Sequence, residues 1–547
     1  MRIVVIGSVA AGTSVAAKAR RNNENCEIVI YEKDTDISYS ICGLPYYIGE
    51  EYITRDDLTP RNPLWFKTRF NIDIKTQHEV MEIITKGKKI KVKNLITTEI
   101  FYDKYDKLVI ATGAIPVKPN IEGINSNFVF TLRNVNDADK IKEFIKNNNV
   151  KNATIIGGGF IGLEVLENIV NLGIKSTLIE GLNQVMPPFD REMAKYIENH
   201  IKEKNVNLML AEKVIKLDEN NKTVITETGK KIKSDIVIVS IGVKPNVTLA
   251  QKAGIEIGKT GAIKVNNRME TNIPDIFAVG DCTESFSLLT DESIYRPLGT
   301  TANKMGRIAG DVITGGNLSF RGILGTGIFK IFDLSVGITG LSEKEAKRLG
   351  YDIEIIHNIK PNQVEYFKES SEMIIKAIAD RKSERLLGVQ IIGKNGVDKR
   401  LDVFVTAITF GARVGDLFHL DLSYSPPFST TKDPVMYTGM ILDNAINRGR
   451  KIITASDLLE NFQDYFIIDV RSPEDYEKGH IEGSVNIPLN KLREQAQYID
   501  KSKKIVVYCN KGVSGNASQN LLINLGFSEV YNLSGGYKHY KIVKSLI

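Results

Sequence analysis

Short runs dominated by Ile and Val, nearly free of polar positions, alternate along the chain with stretches that mix apolar and charged residues. Residues 3–6, 27–31, 107–110, 153–156 and 176–179 read as strands covered on both faces, since a strand between two helical layers has no side that needs polar residues. Helices are expected from the turn after the first run as far as Arg21, and over 163–172. Strand, glycine turn, helix and strand thus recur twice, which predicts two α/β units built on parallel sheets. Farther along, 324–331 and 373–378 fall in a region rich in strands. Strands at 465–470 and 504–508 alternate with helical stretches, one over 515–525, as in a separate small α/β module.

The turns between these elements carry the first chemistry. Gly7-Ser8-Val9-Ala10-Ala11-Gly12 follows the first strand, and Glu32 ends the next. Such glycines let a helix N-terminus approach a pyrophosphate, and the acidic residue is placed to accept ribose hydroxyls. Val9 stands where the fingerprint usually has its middle glycine. The second unit keeps all three, in Gly157-Gly158-Gly159-Phe160-Ile161-Gly162, and its second strand ends at Glu180. A carboxylate there repels a 2'-phosphate and Gly181 adds no cation, so NADH is favoured, with NADPH the alternative.

Cys42, in Ser38-Tyr39-Ser40-Ile41-Cys42-Gly43-Leu44-Pro45, heads a Pro-containing turn ten residues after Glu32, and the next cysteine is Cys282. With no neighbouring thiol it must be capped by something external: a small thiol, a sulfane sulfur or oxygen. Two dinucleotide units with a thiol just past one of them imply a flavin and a nicotinamide. Composition adds limits. At 547 residues with 42% hydrophobic and 25% charged positions, several domains are expected. The net charge of +6 is spread over interleaved Lys and Asp/Glu, which argues against nucleic acid. Four scattered cysteines, no apolar run long enough to span a bilayer and an opening strand at Met1 lead us to expect a cytoplasmic protein without membrane segments.

Ala111-Thr112-Gly113 after the strand at 107–110, and Thr271 through Val279-Gly280-Asp281-Cys282, complete five ordered motifs. Over residues 1–445 the chain resembles the pyridine nucleotide-disulfide oxidoreductases, in particular the coenzyme A-disulfide reductase and NADH oxidase branch. The resemblance implies an FAD-binding domain in two parts (1–150 and 271–321), an NAD(P)H-binding domain (151–270) and a dimerisation domain (322–445). Residues Gly7, Val9, Ala10, Ala11, Gly12, Glu32, Lys33, Ala111, Thr112, Gly113, Gly280 and Asp281 would then serve FAD, and Gly157, Gly159, Phe160, Ile161, Gly162, Glu180 and Gly242 the nicotinamide cofactor. Cys42 would be the redox nucleophile, with Tyr424 reaching it from the second chain of a homodimer and Tyr366 a second tyrosine. Ser14, Lys18, Arg21, Ser38 and Lys432 would meet coenzyme A. Cys26 and Cys282 read as packing residues, and no metal site is expected.

Beyond a linker at 446–452, residues 453–547 resemble a rhodanese domain through Asp469-Val470-Arg471-Ser472-Pro473, Gly479-His480-Ile481-Glu482-Gly483 and the loop Cys509-Asn510-Lys511-Gly512-Val513-Ser514. The resemblance implies a persulfide carried on Cys509. Asn510 and Val513 occupy places where active rhodaneses often have arginines, leaving Lys511 as the loop's one cation. His480 reads as a structural hydrogen-bonder. The function expected is NADH-driven reduction of coenzyme A disulfide, coenzyme A persulfide or polysulfide at Cys42, with sulfur relayed by Cys509 and Lys511 binding substrate. Backbone N–H groups of the Cys42 turn, together with the flavin, are expected to bring its thiol near ambient pH. The alternatives are an NADH oxidase cycling through a sulfenic acid, and a sulfur-relay or redox-sensing protein.

Overall fold

The computed structural model describes residues 1–546, which form two compact units: 1–183 with 206–325, and 184–205 with 326–546. In the first unit a five-stranded parallel sheet runs Ile276–Ala278, Lys107–Ile110, Arg2–Ile6, Glu27–Tyr31 and Asp73–Lys75. A second parallel sheet runs Asn207–Met209, Lys175–Ile179, Asn152–Ile156, Ile236–Val239 and Val129–Thr131. Their middle strands, Arg2–Ile6 and Asn152–Ile156, are buried beyond the first residue, as the apolar runs require.

The first helix, Ala10–Asn22, follows the expected span closely. The second, Phe160–Asn171, starts three residues before the apolar pattern because Gly159 is the extended residue that precedes it. The Pro-containing turn at Cys42 is a single 3-10 turn, Ile41–Gly43, running directly into the short helix Leu44–Gly49. Pro45 lies in that helix's first turn, where its missing N–H costs no intrahelical bond.

In the second unit the strands Gly327–Ile331, Leu334–Gly340, Leu386–Gly393, Glu372–Asp380 and Ile353–Pro361 form an antiparallel sheet in that order. The C-terminal module is a parallel sheet of Ile452–Ile453, Val530–Leu533, Ile505–Tyr508, Phe466–Asp469 and Val485–Asn486. The residues read as a linker are partly ordered into elements, since helix Pro434–Asn447 runs to Asn447 and a strand begins at Ile452.

The module is joined to the antiparallel sheet through buried polar groups. The His357 N–H donates to Ser534 Oγ at 2.6 Å, the His357 and His539 rings stack at 3.9 Å, and the Tyr196 hydroxyl lies 3.1 Å from His539 Nδ1. Burial, then the neighbouring His357, hold the His539 imidazole neutral well below the usual histidine range. Beneath this stack Lys376, with 0% side-chain exposure, is ion-paired to Glu192, to Asp190 at 3.0 Å and to Glu343 at 2.6 Å. Desolvation disfavours its ammonium, but the three carboxylates outweigh that and hold it protonated above the usual lysine range. Arg400 and Asp433, both buried, form a second pair at 2.8 Å, with Arg400 also donating to the Asn362 carbonyl at 2.7 Å.

Candidate redox site

Each glycine turn of the first unit is shaped by close backbone approach. Gly7 and Gly157 have φ of +103° and +106°, and a Cβ on either would lie 2.3 Å from the Ala111 carbonyl oxygen or 2.5 Å from that of Ser240. Only glycine fits there. A Cβ at Gly159 would meet nothing within 4 Å, so that side of the turn is open for a pyrophosphate. The two carboxylates close their turns alike. Glu32 accepts from Ser8 N and Ser8 Oγ, both at 2.8 Å, and Glu180 accepts from Gly158 N at 2.7 Å. Burial pushes the Glu32 carboxyl up, against its backbone hydrogen bonds. Val9 is the residue before helix Ala10–Asn22, in the place Gly159 has before the second helix.

The remaining cofactor candidates gather around these turns. Ala111 N donates to the Ile6 carbonyl, the Thr112 hydroxyl to that of Asn246, and Asn246 N to that of Gly113. Gly280 packs so tightly on the first helix that a Cβ would lie 2.9 Å from the Ala11 side chain. That contact brings Asp281 up to the start of the first helix, and Arg133 lies 3.6 Å from its carboxylate. Burial pushes the Asp281 carboxyl up and Arg133 opposes it. Lys33 is exposed, and Gly242, φ +119°, accepts from Val117 N. Cys26 and Cys282 are buried, and Cys282 donates to backbone carbonyls.

Cys42 is open to solvent, yet its turn does not ionise it. Gly43 N and Leu44 N donate to the carbonyls of Ser40 and Ile41, so these N–H groups are spent within the turn. Partial desolvation, then the carboxylates Glu164 and Asp281, push the Cys42 thiol up rather than down. The expectation that the turn's N–H groups would lower it is therefore corrected. Glu164 was missed by the sequence reading. It lies one turn into helix Phe160–Asn171, its carboxyl is pushed up to about 7 by burial and by Glu167, and it is hydrogen-bonded to Tyr46, four residues after Cys42. Its signal was a carboxylate within the otherwise apolar first turns of that helix.

A cleft of about 590 Å³ opens just before Cys42 in the chain. Ser14, Lys18, Arg21 and Ser38, scattered over 25 positions of sequence, all line it. Ser14, Lys18 and Arg21 share one face of helix Ala10–Asn22, Ser38 N donates to the Ser8 carbonyl just ahead of it, and helix Gly299–Ile313 crosses it at close range. A Cβ at Gly306 or Gly310 would lie 2.5 Å from the carbonyl oxygen of Ala11 or Val15. The crossing adds Asn303, which hydrogen-bonds Ser14 at 2.6 Å, and Arg307. Arg61 and Arg69 flank the chain's single tryptophan, their guanidiniums 5.1 and 5.4 Å from the Trp65 ring. These residues escaped the sequence reading. The one usable signal was the lone tryptophan between two arginines; Arg307 had none, because only the helix crossing brings it there. Lys18 is itself paired with Asp311 at 3.0 Å.

In the second unit Tyr424 is 47% exposed and Tyr366 77%, and Lys432 is exposed as well. Cys509 is buried and accepts from Gly512 N at 3.2 Å. Lys511 is turned away onto Glu372 and Glu365. His480 binds the Tyr476 carbonyl at 3.0 Å and stacks on that ring, a structural role.

Residues 1–303 match the family described as pyridine nucleotide-disulphide oxidoreductase, 327–434 its dimerisation domain, and 454–542 the rhodanese-like domain. The chain belongs to the pyridine nucleotide-disulphide oxidoreductases, carries a rhodanese domain, and is an FAD- and NAD(P)H-dependent oxidoreductase. A relative from Pyrococcus horikoshii, the NAD(P)H coenzyme A polysulfide/persulfide reductase, is 35% identical over 81% of this chain and 98% of its own. The reduced CoADR-RHD of Bacillus anthracis is similar at 40% identity and TM-score 0.97, covering 100% of this chain and 98% of its own. The NAD-dependent persulfide reductase of A. fulgidus is 38% identical with TM-score 0.91, covering 98% and 100%. No helix among the described residues is long and apolar enough to cross a membrane.

Proposed function

We propose that the enzyme uses NADH to reduce coenzyme A disulfide, coenzyme A persulfide or polysulfide at Cys42, and that Cys509 relays sulfane sulfur. The observation that carries this reading is the cleft lined by Ser38 and Tyr39 of the segment that leads into Cys42. Its arginines and Lys18 suit the phosphates of coenzyme A, and Trp65 offers an aromatic face to an adenine. Oxygen needs neither. The persulfide reductase activities of the Pyrococcus horikoshii and A. fulgidus relatives support the same reading.

The turn Gly7–Gly12 with Glu32, the segment Ala111–Gly113 and Asp281 would hold FAD; Gly157–Gly162 with Glu180 would hold NADH. FAD held there would supply two-electron redox chemistry linking NADH to the capped cysteine. The protein's part is to hold Cys42, present the acceptor and manage protons. The Cys42 thiolate attacks the coenzyme-bound sulfur of coenzyme A persulfide. A bond forms between the two sulfurs, the original S–S bond breaks, and hydrosulfide leaves with the electron pair. Two electrons from NADH then reopen the Cys42–coenzyme A disulfide. Glu164, pushed up to about 7, and Tyr46 keep an exchangeable proton beside Cys42. Tyr424 of the partner subunit is proposed to protonate the departing thiolate.

Anaerobic NADH oxidation with coenzyme A persulfide, coenzyme A disulfide and polysulfide, repeated in air without sulfur, tests this. Fast turnover with a sulfur acceptor and slow turnover in air are expected; turnover in air alone would make the protein an oxidase. In the same assay Arg307→Gln is expected to raise KM for the coenzyme A acceptors roughly ten-fold, about 1.4 kcal/mol of lost phosphate contact. It should leave the KM for polysulfide nearly unchanged. An equal rise for both would place coenzyme A elsewhere.

A further inference from the structure

The rhodanese loop has too little positive charge for the species it carries. A cysteine persulfide is an anion at neutral pH, and Asn510 and Val513 supply no cation. Lys511 is engaged by Glu372 and Glu365. Arg471 is also occupied, paired with Asp469 at 2.5 Å and donating to the Gly479 carbonyl at 2.8 Å.

A further cation stands on the antiparallel sheet, at the strand end that is tied to this loop. Lys360 is the next-to-last residue of strand Ile353–Pro361 and pairs in register with Met373; the adjoining pair is Pro361 with Glu372. Glu372 is the carboxylate that binds Lys511, and it also binds Lys538 of helix Gly536–Lys544 at 2.7 Å. That helix closes on the loop, since Tyr537 N donates to the Cys509 carbonyl at 2.8 Å and Lys538 N to that of Asn510 at 3.1 Å. The end of the Lys360 strand is therefore pinned to the segment that holds Cys509. Lys360 is half-buried, its Nζ lies 3.7 Å from the centroid of the Tyr437 ring, and among the described residues it has no carboxylate partner.

We propose that Lys360 completes the sulfur-transfer site of Cys509, supplying from the dimerisation sheet the cation that the rhodanese loop lacks, and that the composite site takes small anionic sulfane-sulfur carriers. The proposal rests on the reading of Cys509 as a sulfur carrier. The electrostatics agree. Desolvation, then Lys511, pull the Lys360 ammonium down to about 8, Lys432 adds to this, and Cys509 works in the opposite sense, so the lysine and the sulfur feel one another.

The step is an exchange without net oxidation. The Cys509 thiolate attacks the outer sulfur of a carrier persulfide, R–S–SH. The Cys509–sulfur bond forms as the R–S–S bond breaks, and R–S leaves as a thiolate with the electron pair. The proton stays on the transferred sulfur until the new persulfide ionises beside Lys360.

Full-length protein bearing Cys42→Ser, so that Cys509 is the sulfur-accepting thiol under study, is incubated with coenzyme A persulfide. Addition of one sulfur is followed by intact mass and located by peptide mapping. Loading at neutral pH is expected to fall roughly ten-fold in Lys360→Gln and to be largely kept in Lys360→Arg, because an uncompensated charge in a partly desolvated site is costly whichever residue would have balanced it. Equal loading in Lys360→Gln and the parent overturns the role of Lys360 while leaving the carrier reading intact. Equal loss in Gln and Arg variants, which would mark a packing defect, overturns it too. A parent that takes up no sulfur at Cys509 refutes the carrier reading itself.

Discussion

Replacing Cys42 with serine is expected to lower NADH-dependent reduction of every sulfur acceptor by about 10³-fold or more, because a hydroxyl neither attacks sulfur nor stores the acceptor's two electrons as a disulfide. Bound FAD should still bleach with NADH in this variant, since the glycine turns and Glu180 that would hold the nicotinamide are untouched. Stopped-flow absorbance separates the two steps: flavin reduction kept, reoxidation by coenzyme A disulfide lost. Retained turnover would move the chemistry to another group, and loss of flavin bleaching would mean that the site had collapsed. The protein groups alone push the Cys42 thiol up. A cation or the flavin must therefore favour the thiolate, and FAD-free protein is expected to alkylate at Cys42 more slowly than FAD-loaded protein.

The second large effect is on stability. Lys376→Met is expected to weaken the second unit by about 3–5 kcal/mol, the cost of removing one partner from a buried ionic group. Asp190, Glu192 and Glu343 would be left together with only the exposed Lys347, on Glu343, as a cation. Lysine holds Glu192 and Glu343 below the usual carboxylate range in spite of their burial. Without it their carboxyls rise, and the unit is relieved as they take up protons. The deficit in urea midpoint is thus expected to be largest at neutral pH and to shrink on acidification. A midpoint unchanged at neutral pH would show that the three carboxylates find other partners. Because the chain has several domains, the unfolding of the second unit is best followed by a probe placed within it.

Much of the architecture was readable in one dimension because its signals are local. An apolar run such as Ile3-Val4-Val5-Ile6 has one comfortable home, inside a covered parallel sheet. Gly7 and Gly157 are dictated by a backbone geometry that only glycine adopts cheaply, so the turns announce themselves. Cys42 and Cys509 were found by the same logic, each directly marked by its flanking turn. Element ends were less legible. The helix at Phe160 starts earlier than its apolar pattern, because residues at a helix start answer to the turn rather than to the core.

The surroundings of both cysteines are another matter. Arg307 lines the same cleft as Ser14 because two helices cross where Gly306 and Gly310 leave room, and Glu164 reaches Tyr46 because helix Leu44–Gly49 packs on helix Phe160–Asn171. Lys360 and Cys509 are separated by 149 positions. The sequence by itself determined the parallel sheets and the two glycine turns and singled out the two candidate cysteines, since each depends on a few adjacent residues. Only the tertiary structure decided which charges surround those sulfurs and that the N–H groups of the Cys42 turn are already bonded. Electrostatic neighbours are set by distance in space, which sequence spacing does not encode.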